Sequence, residues 1–164
     1  MSDLGQRGSS SKEPSTGRQL LVCRVGALSC ALPLESVSET MRRLPTEYLA
    51  GMPPFLDGVA RIRGAPVPIV NLAKLLGTEL SVDRHQLVLL KLEERNVAFS
   101  VDRVIGVRTL DAAMAQAVLP PLLRSASLEY VRAIDATDSR LLLLLEQSQI
   151  LPESTWRELG LEGT

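Results

Sequence analysis

Gly58-Val59-Ala60-Arg61-Ile62-Arg63-Gly64-Ala65-Pro66-Val67-Pro68-Ile69-Val70-Asn71-Leu72 decides the reading of this chain, because it encodes a hairpin that runs into a helix start. Val59 to Arg63 alternates apolar or small residues with arginine, Gly64 supplies the backbone freedom of a tight turn, and Ala65 to Val70 returns as an apolar strand. Pro66 and Pro68 lack an amide hydrogen, which predicts an edge or bulge position for that second strand. Asn71 can accept from the free amides of a short helix over Leu72 to Leu76, and Gly77 can end it in the left-handed region.

Working outward, Gly26-Ala27 between two apolar runs predicts a two-residue turn joining Leu20–Val25 to Leu28–Leu34, with Val25 opposite Leu28 and Cys23 opposite Cys30. Alternation then places Cys23, Val25, Leu28, Cys30 and Leu32 on one buried face. Directly opposed strand positions fit disulfide geometry poorly, so two reduced core thiols are expected. Val37 to Met41 follows as a short strand carrying Glu39, and Pro45 to Phe55 as a turn-rich connection with one helical turn. Leu87–Leu92 and Val97–Val107 read as long aliphatic strands around a turn at Glu93–Asn96, forming a second small barrel. Asp102 lies between Val101 and Val104 near a strand end and is expected to fix a turn or a salt bridge. The pattern weakens over residues 109–127; Tyr130–Asp135 and Leu141–Gln147 then form a hairpin whose all-leucine strand must be buried on both faces. Glu153 to Leu159 reads as a terminal helix docking Trp156 and Leu159. The expected organisation is a flexible polar tail over residues 1–17, a domain over 18–151 and a helical tail over 152–164.

Composition narrows the function. A chain of 164 residues with 45% hydrophobic content can bury a core, and with 3% aromatics that core must be built from Leu, Val and Ile. The net charge of -1 gives no electrostatic reason to bind nucleic acid, and Leu141–Leu145 is far shorter than the ~20 residues of a membrane span. A cytoplasmic protein is expected. His85, the sole histidine, lies in a polar stretch and reads as a solvated loop residue; one histidine and two buried-face cysteines supply no metal set, and no phosphate-binding glycine loop occurs. Glu93-Glu94 falls in a turn where solvation explains it. No catalytic residue, cofactor or metal is expected, which leaves surfaces as the carriers of function.

Arg63 is the first surface candidate, since on an alternating strand it would project beside Arg61, with Val59 as an apolar neighbour. An arginine on an apolar rim is a favoured interface anchor; the alternatives are two solvated arginines or an internal salt bridge to Glu39 or Asp102. The Gly58–Leu72 stretch, together with Leu21–Glu39, Val101-Asp102-Arg103-Val104, Glu129-Tyr130 and the Leu141–Glu146 strand, resembles the CheW-like domain of bacterial chemotaxis over roughly Leu20 to Leu151.

That resemblance implies an all-β fold of two intertwined small five-stranded SH3-like barrels around a shared aliphatic core. It implies a non-catalytic adaptor joining a CheA-type histidine kinase regulatory domain to the cytoplasmic tip of a methyl-accepting chemoreceptor, recruited to membrane-associated arrays without inserting into the membrane. The alternatives are a CheW-like regulator that binds one partner competitively, and a ligand-binding or enzymatic barrel, which would carry a deep polar pocket. By carry-over, Arg63 and Gly64 match the family's Arg-Gly, Val37 and Glu39 its Val-x-Glu, and Gly58 joins the same contacts; Val104 and Val107 match positions offered to the receptor. Arg61 stands where the family has Asn and Asn71 where it has Asp, so Arg61 adds a charge beside the key arginine that can retune partner choice.

Overall fold

The computed structural model describes residues 17–79, 85–92, 94–110, 131–134, 142–145, 151 and 153–161. Among the described residues ten strands run in chain order: β1 Arg18–Val25, β2 Leu28–Pro33, β3 Val37–Arg42, β4 Leu56–Ile62, β5 Ala65–Asn71, β6 Gln86–Leu92, β7 Arg95–Val101, β8 Arg103–Leu110, β9 Val131–Ile134 and β10 Leu142–Leu145. Two short helices, α1 Leu72–Leu76 and α2 Glu153–Leu159, accompany them. The strands form two five-stranded sheets, ordered β8-β1-β2-β10-β9 and β3-β6-β7-β5-β4.

Alternation along the strands sorts the apolar side chains into three cores. Leu20, Val22, Ala31, Leu142 and Leu144 fill one face of the first sheet, and Ala60, Ile62, Val67, Ile69, Leu87, Leu89 and Ala98 fill one face of the second. Between the sheets lies the largest cluster, to which both contribute their other faces: Leu21, Cys23, Val25 and Leu143 from the first, Leu56, Val70, Val88 and Phe99 from the second, with Trp156 of α2. The all-leucine β10 shows the logic most plainly, since Leu142 and Leu144 enter one core while Leu143 and Leu145 enter the shared one.

The predicted hairpins form in register. Cys23 opposes Cys30 and Val25 opposes Leu28; both cysteines are free thiols, and burial pushes the Cys23 thiol up to about 12 and raises Cys30 as well. Asn71 Oδ1 accepts from the Lys74 amide at 3.1 Å and Gly77 ends α1 at φ 81°, as the cap residues require.

Several expectations need correction. β5 is an inner strand, flanked by β4 and β7; it tolerates proline because β7 pairs only with Ile69 to Asn71. In the hairpin, Pro66 and Pro68 oppose Arg61 and Val59, alternate positions from which an amide would point away from β4 toward a side still open there. The Val97–Val107 run is two strands, not one. It breaks at Asp102, whose amide donates to the Arg24 carbonyl at 2.9 Å while its Oδ2 accepts from the Gly26 amide at 2.7 Å. Asp102 therefore fixes the first hairpin's turn, and the chain crosses there from one sheet to the other. As a result the second half is no separate barrel: β6 and β7 complete the β3–β5 sheet, and β8 returns to pair with β1.

Residues 45–55 contain no helical turn. Instead the Glu47 amide donates to the Val59 carbonyl at 2.8 Å and the Val59 amide to the Glu47 carbonyl at 2.9 Å. β3 and β4 are the two edges of their sheet, so this pair ties the chain leaving β3 onto the far edge and curls the sheet upon itself. The pair exists because residue 58 is glycine: at φ 139° its position for a Cβ lies 2.1 Å from the Glu47 carbonyl oxygen. Residues 111–130, including Tyr130, and the connection at 135–141 lie outside the described residues.

Gly58→Ala is expected to cost about 2 kcal/mol or more in urea unfolding, whereas Gly106→Ala, whose added methyl meets nothing within 4 Å, should stay within about 0.5 kcal/mol of wild type. Iodoacetamide at mildly alkaline pH should leave both thiols unmodified in the native protein and alkylate both in urea.

Candidate functional site: a seam-closing ion pair and an exposed edge strand

Arg63 does not lie on the strand; it shares the β4–β5 turn with Gly64, and both have positive φ, 53° and 80°. Two positive φ angles are the signature of the hairpin turn whose twist matches the flanking strands. Arg63 is the one described residue other than glycine in that region, a placement that β-strand alternation could not reveal. The turn carries the Arg63 side chain across the seam, where Nε donates to Glu39 Oε2 of β3 at 2.7 Å. Of the alternatives the sequence left open, the internal salt bridge to Glu39 is the one that forms, and it joins the same two sheet edges as the Glu47–Val59 pair.

The ion pair stays open to water: the Arg63 side chain is 73% exposed and that of Glu39 31%. The hydrogen bond from Arg63 holds the Glu39 carboxyl below the usual carboxylate range, and the carboxylate in turn raises Arg63. In so exposed a place the pair contributes little to stability. Its effect is geometric, since a guanidinium held through Nε presents its remaining N–H groups outward in a fixed plane. Arg61, exposed beside it, bends back so that Nη1 donates to the Gly64 carbonyl at 3.1 Å and pins the same turn.

The other expected positions separate. Gly58 is buried beneath Glu47 and offers no surface. Val37 is partly buried against the shared core, as is Val104, whose amide also donates to Gln86 Oε1 at 2.7 Å. Val107 is 51% exposed. The β1–β8 register shifts between Val22 and Cys23, leaving Ile105 as the extra residue of a bulge, so strand alternation does not carry from Val104 to Val107. Ile105, 50% exposed, lies close by in sequence and was passed over by the sequence reading. Among the described residues β8 pairs only with β1, at the edge of its sheet, and these side chains lie on it. Tyr48 and Leu49, next to the seam residue Glu47, are the other exposed large apolar side chains among the described residues; no periodic pattern in the turn-rich connection signals them.

His85, expected in solvent, is half-buried at the rim of a cavity at one end of the second sheet. Among the described residues no cluster of His, Cys, Asp or Glu could hold a metal, and no helix is long and apolar enough to cross a membrane.

These features define an all-β protein of two five-stranded sheets with a shared core between them, an ion pair on the seam of one sheet and exposed apolar side chains on the edge strand of the other. The chain belongs to the CheW-like domain family of chemotaxis adaptors, whose sequence signature matches residues 19–155. It is 27% identical over 139 residues to the probable chemotaxis protein CheW of Rhizobium etli, covering 84% of this chain and 89% of that one. It is 34% identical over 101 residues to the protein PilI of Pseudomonas aeruginosa, covering 60% and 57% of the two chains. The fold matches the crystal structure of the scaffolding protein TtCheW from Thermoanaerobacter tengcongensis with a TM-score of 0.66 at 19% identity, over 79% of this chain and 88% of that one.

Because the Glu39 carboxyl is lowered in the fold, the link it makes is complete above the ordinary carboxylate range and breaks as pH falls through the lowered value. Carboxyl NMR should show Glu39 titrating below free glutamate, and Arg63→Ala should return it toward the ordinary value.

Proposed function

We propose that this protein is a non-catalytic cytoplasmic adaptor that couples a chemoreceptor signalling tip to the regulatory domain of a CheA-type histidine kinase. Membership of the CheW-like family supports the pathway. The observation that carries the coupling role is the separation of two unlike surfaces: the Glu39–Arg63 pair on the seam of one sheet, and the Ile105–Val107 strip on the edge strand of the other. One is polar and directional, suited to register and orientation; the other is apolar and non-directional, suited to burial against an amphipathic helix. A protein that binds two partners at once needs surfaces that do not compete.

The arginine turn is assigned to the kinase domain, because a guanidinium held in a fixed plane by Glu39 is the kind of anchor that interface hot spots favour. The β8 strip is assigned to the receptor tip. Each interface is modest in size, and holding both in one array raises the effective concentration of each partner for the other. Recruitment to membrane-bound receptors then requires no membrane contact by the adaptor itself.

Co-sedimentation of the protein with a purified CheA-type regulatory domain and a receptor tip fragment from the same organism should yield a ternary complex. Arg63→Ala should abolish kinase recruitment and leave receptor binding intact, and Val107→Asp the reverse, each by about tenfold or more in affinity. Binding of one partner only would make the protein a competitive regulator, and binding of neither would confine the likeness to the fold.

A further inference from the structure

The curled β3–β7 sheet has two ends, and they differ. At one, the Glu39–Arg63 pair lies across the seam. At the other, the strands end around an open cavity of about 590 Å³, within the size range of small-molecule sites, which favour barrel mouths. Its wall follows the strand order. Asp57 comes from β4 and Asn71 from β5; Ser100 of β7 stands beside both Asn71 and Leu87 of β6 in the pairing register. Arg43 and Thr46 complete the ring on the segment that crosses the seam.

The chemistry of that ring is unlike the all-apolar core beneath it. Ile69 and Leu87, both core residues of the curled sheet, form the floor. Ser100 is 4% exposed and lines the cavity, and its hydroxyl makes no hydrogen bond among the described residues. A buried hydroxyl without a partner costs free energy that a bound polar group would recover. Asp57 meets Lys74 at 3.8 Å and Asn71 Nδ2 at 3.5 Å, both at the outer limit of useful contact, which leaves most of its acceptor capacity unused. Arg43 adds an exposed guanidinium with no partner among the described residues.

We propose that this barrel mouth binds a small zwitterion with a short apolar side chain, of the aliphatic α-amino acid class. The ammonium is received by Asp57, the carboxylate by Arg43 with the Ser100 hydroxyl, and the side chain by Ile69 and Leu87. A simple anion would leave Asp57 opposing it, and a simple cation would leave Arg43 opposing it; a zwitterion satisfies both. This site is separate from the two surfaces assigned above, and its existence does not depend on the adaptor role.

Two-dimensional NMR of the full chain, titrated with L-leucine, 4-methylpentanoate and 3-methylbutylamine, tests the inference. L-leucine should shift the Ser100, Ile69 and His85 resonances saturably, with each single-charge analogue at least about tenfold weaker. Asp57→Asn and Arg43→Gln, both at the open rim, should each weaken leucine binding by about tenfold while the remaining spectrum stays native. No saturable shift with leucine, or equal binding of leucine and 4-methylpentanoate, would overturn the proposal. The ligand comparison in wild-type protein decides the matter even if a variant fails to fold.

Discussion

A small sheet in water has two edges to dispose of, and in the β3–β7 sheet one backbone pair between Glu47 and Val59 disposes of both. Everything else of interest in that half of the molecule depends on it. The pair requires a residue without a side chain at position 58, where the Glu47 carbonyl comes too near for any Cβ. Once the seam is closed, the β4–β5 turn lies opposite β3, so that Arg63 can reach Glu39. At the other end the same closure completes the ring of polar residues around the cavity. The glycine that the family likeness suggested as a contact thus acts one step earlier, by creating the geometry of the contacts.

The two sheets are joined by a core rather than by a linker. Asp102 sits at the crossing point, with its backbone bonded to Arg24 and its carboxylate to the turn at Gly26. Around it, Phe99, Leu90 and Leu143 interlock with Cys23 and Val25 in one buried cluster. Arg95 adds a polar clasp from the surface, bonding Glu153 and lying 4.8 Å from the centre of the Trp156 ring. Two surfaces mounted on opposite sheets are therefore held in fixed relation by close packing, the property a coupling protein needs.

Much of this was legible in the residues. The Gly26-Ala27 turn set the Cys23–Cys30 register, and Asn71 with Gly77 bounded α1, because these are local devices with local signatures. What escaped was non-local. Nothing in the pattern of Ala65–Asn71 tells that β7 will flank only its last three residues, and nothing in the aliphatic run around Asp102 tells that it serves two sheets. Arg63 was found as a candidate, yet its place was misread, since strand alternation cannot anticipate a left-handed arginine. Val104 and Val107 were grouped by likeness, yet Val104 packs against the shared core while Val107 is exposed with Ile105, and the bulge between them leaves no alternation to read. His85 looked solvated because its neighbours in sequence are polar, whereas its neighbours in space line a cavity.

The central claim is that the fold builds Arg63 into a contact by fixing it with Glu39, so that the two act as one unit. A double-mutant cycle on binding to the kinase regulatory domain, using Glu39→Ala, Arg63→Ala and the double variant, measures this directly. The account predicts that Glu39→Ala weakens binding in the wild-type background and has no further effect once Arg63 is gone. Independent, additive losses, or no loss from either substitution, would contradict it.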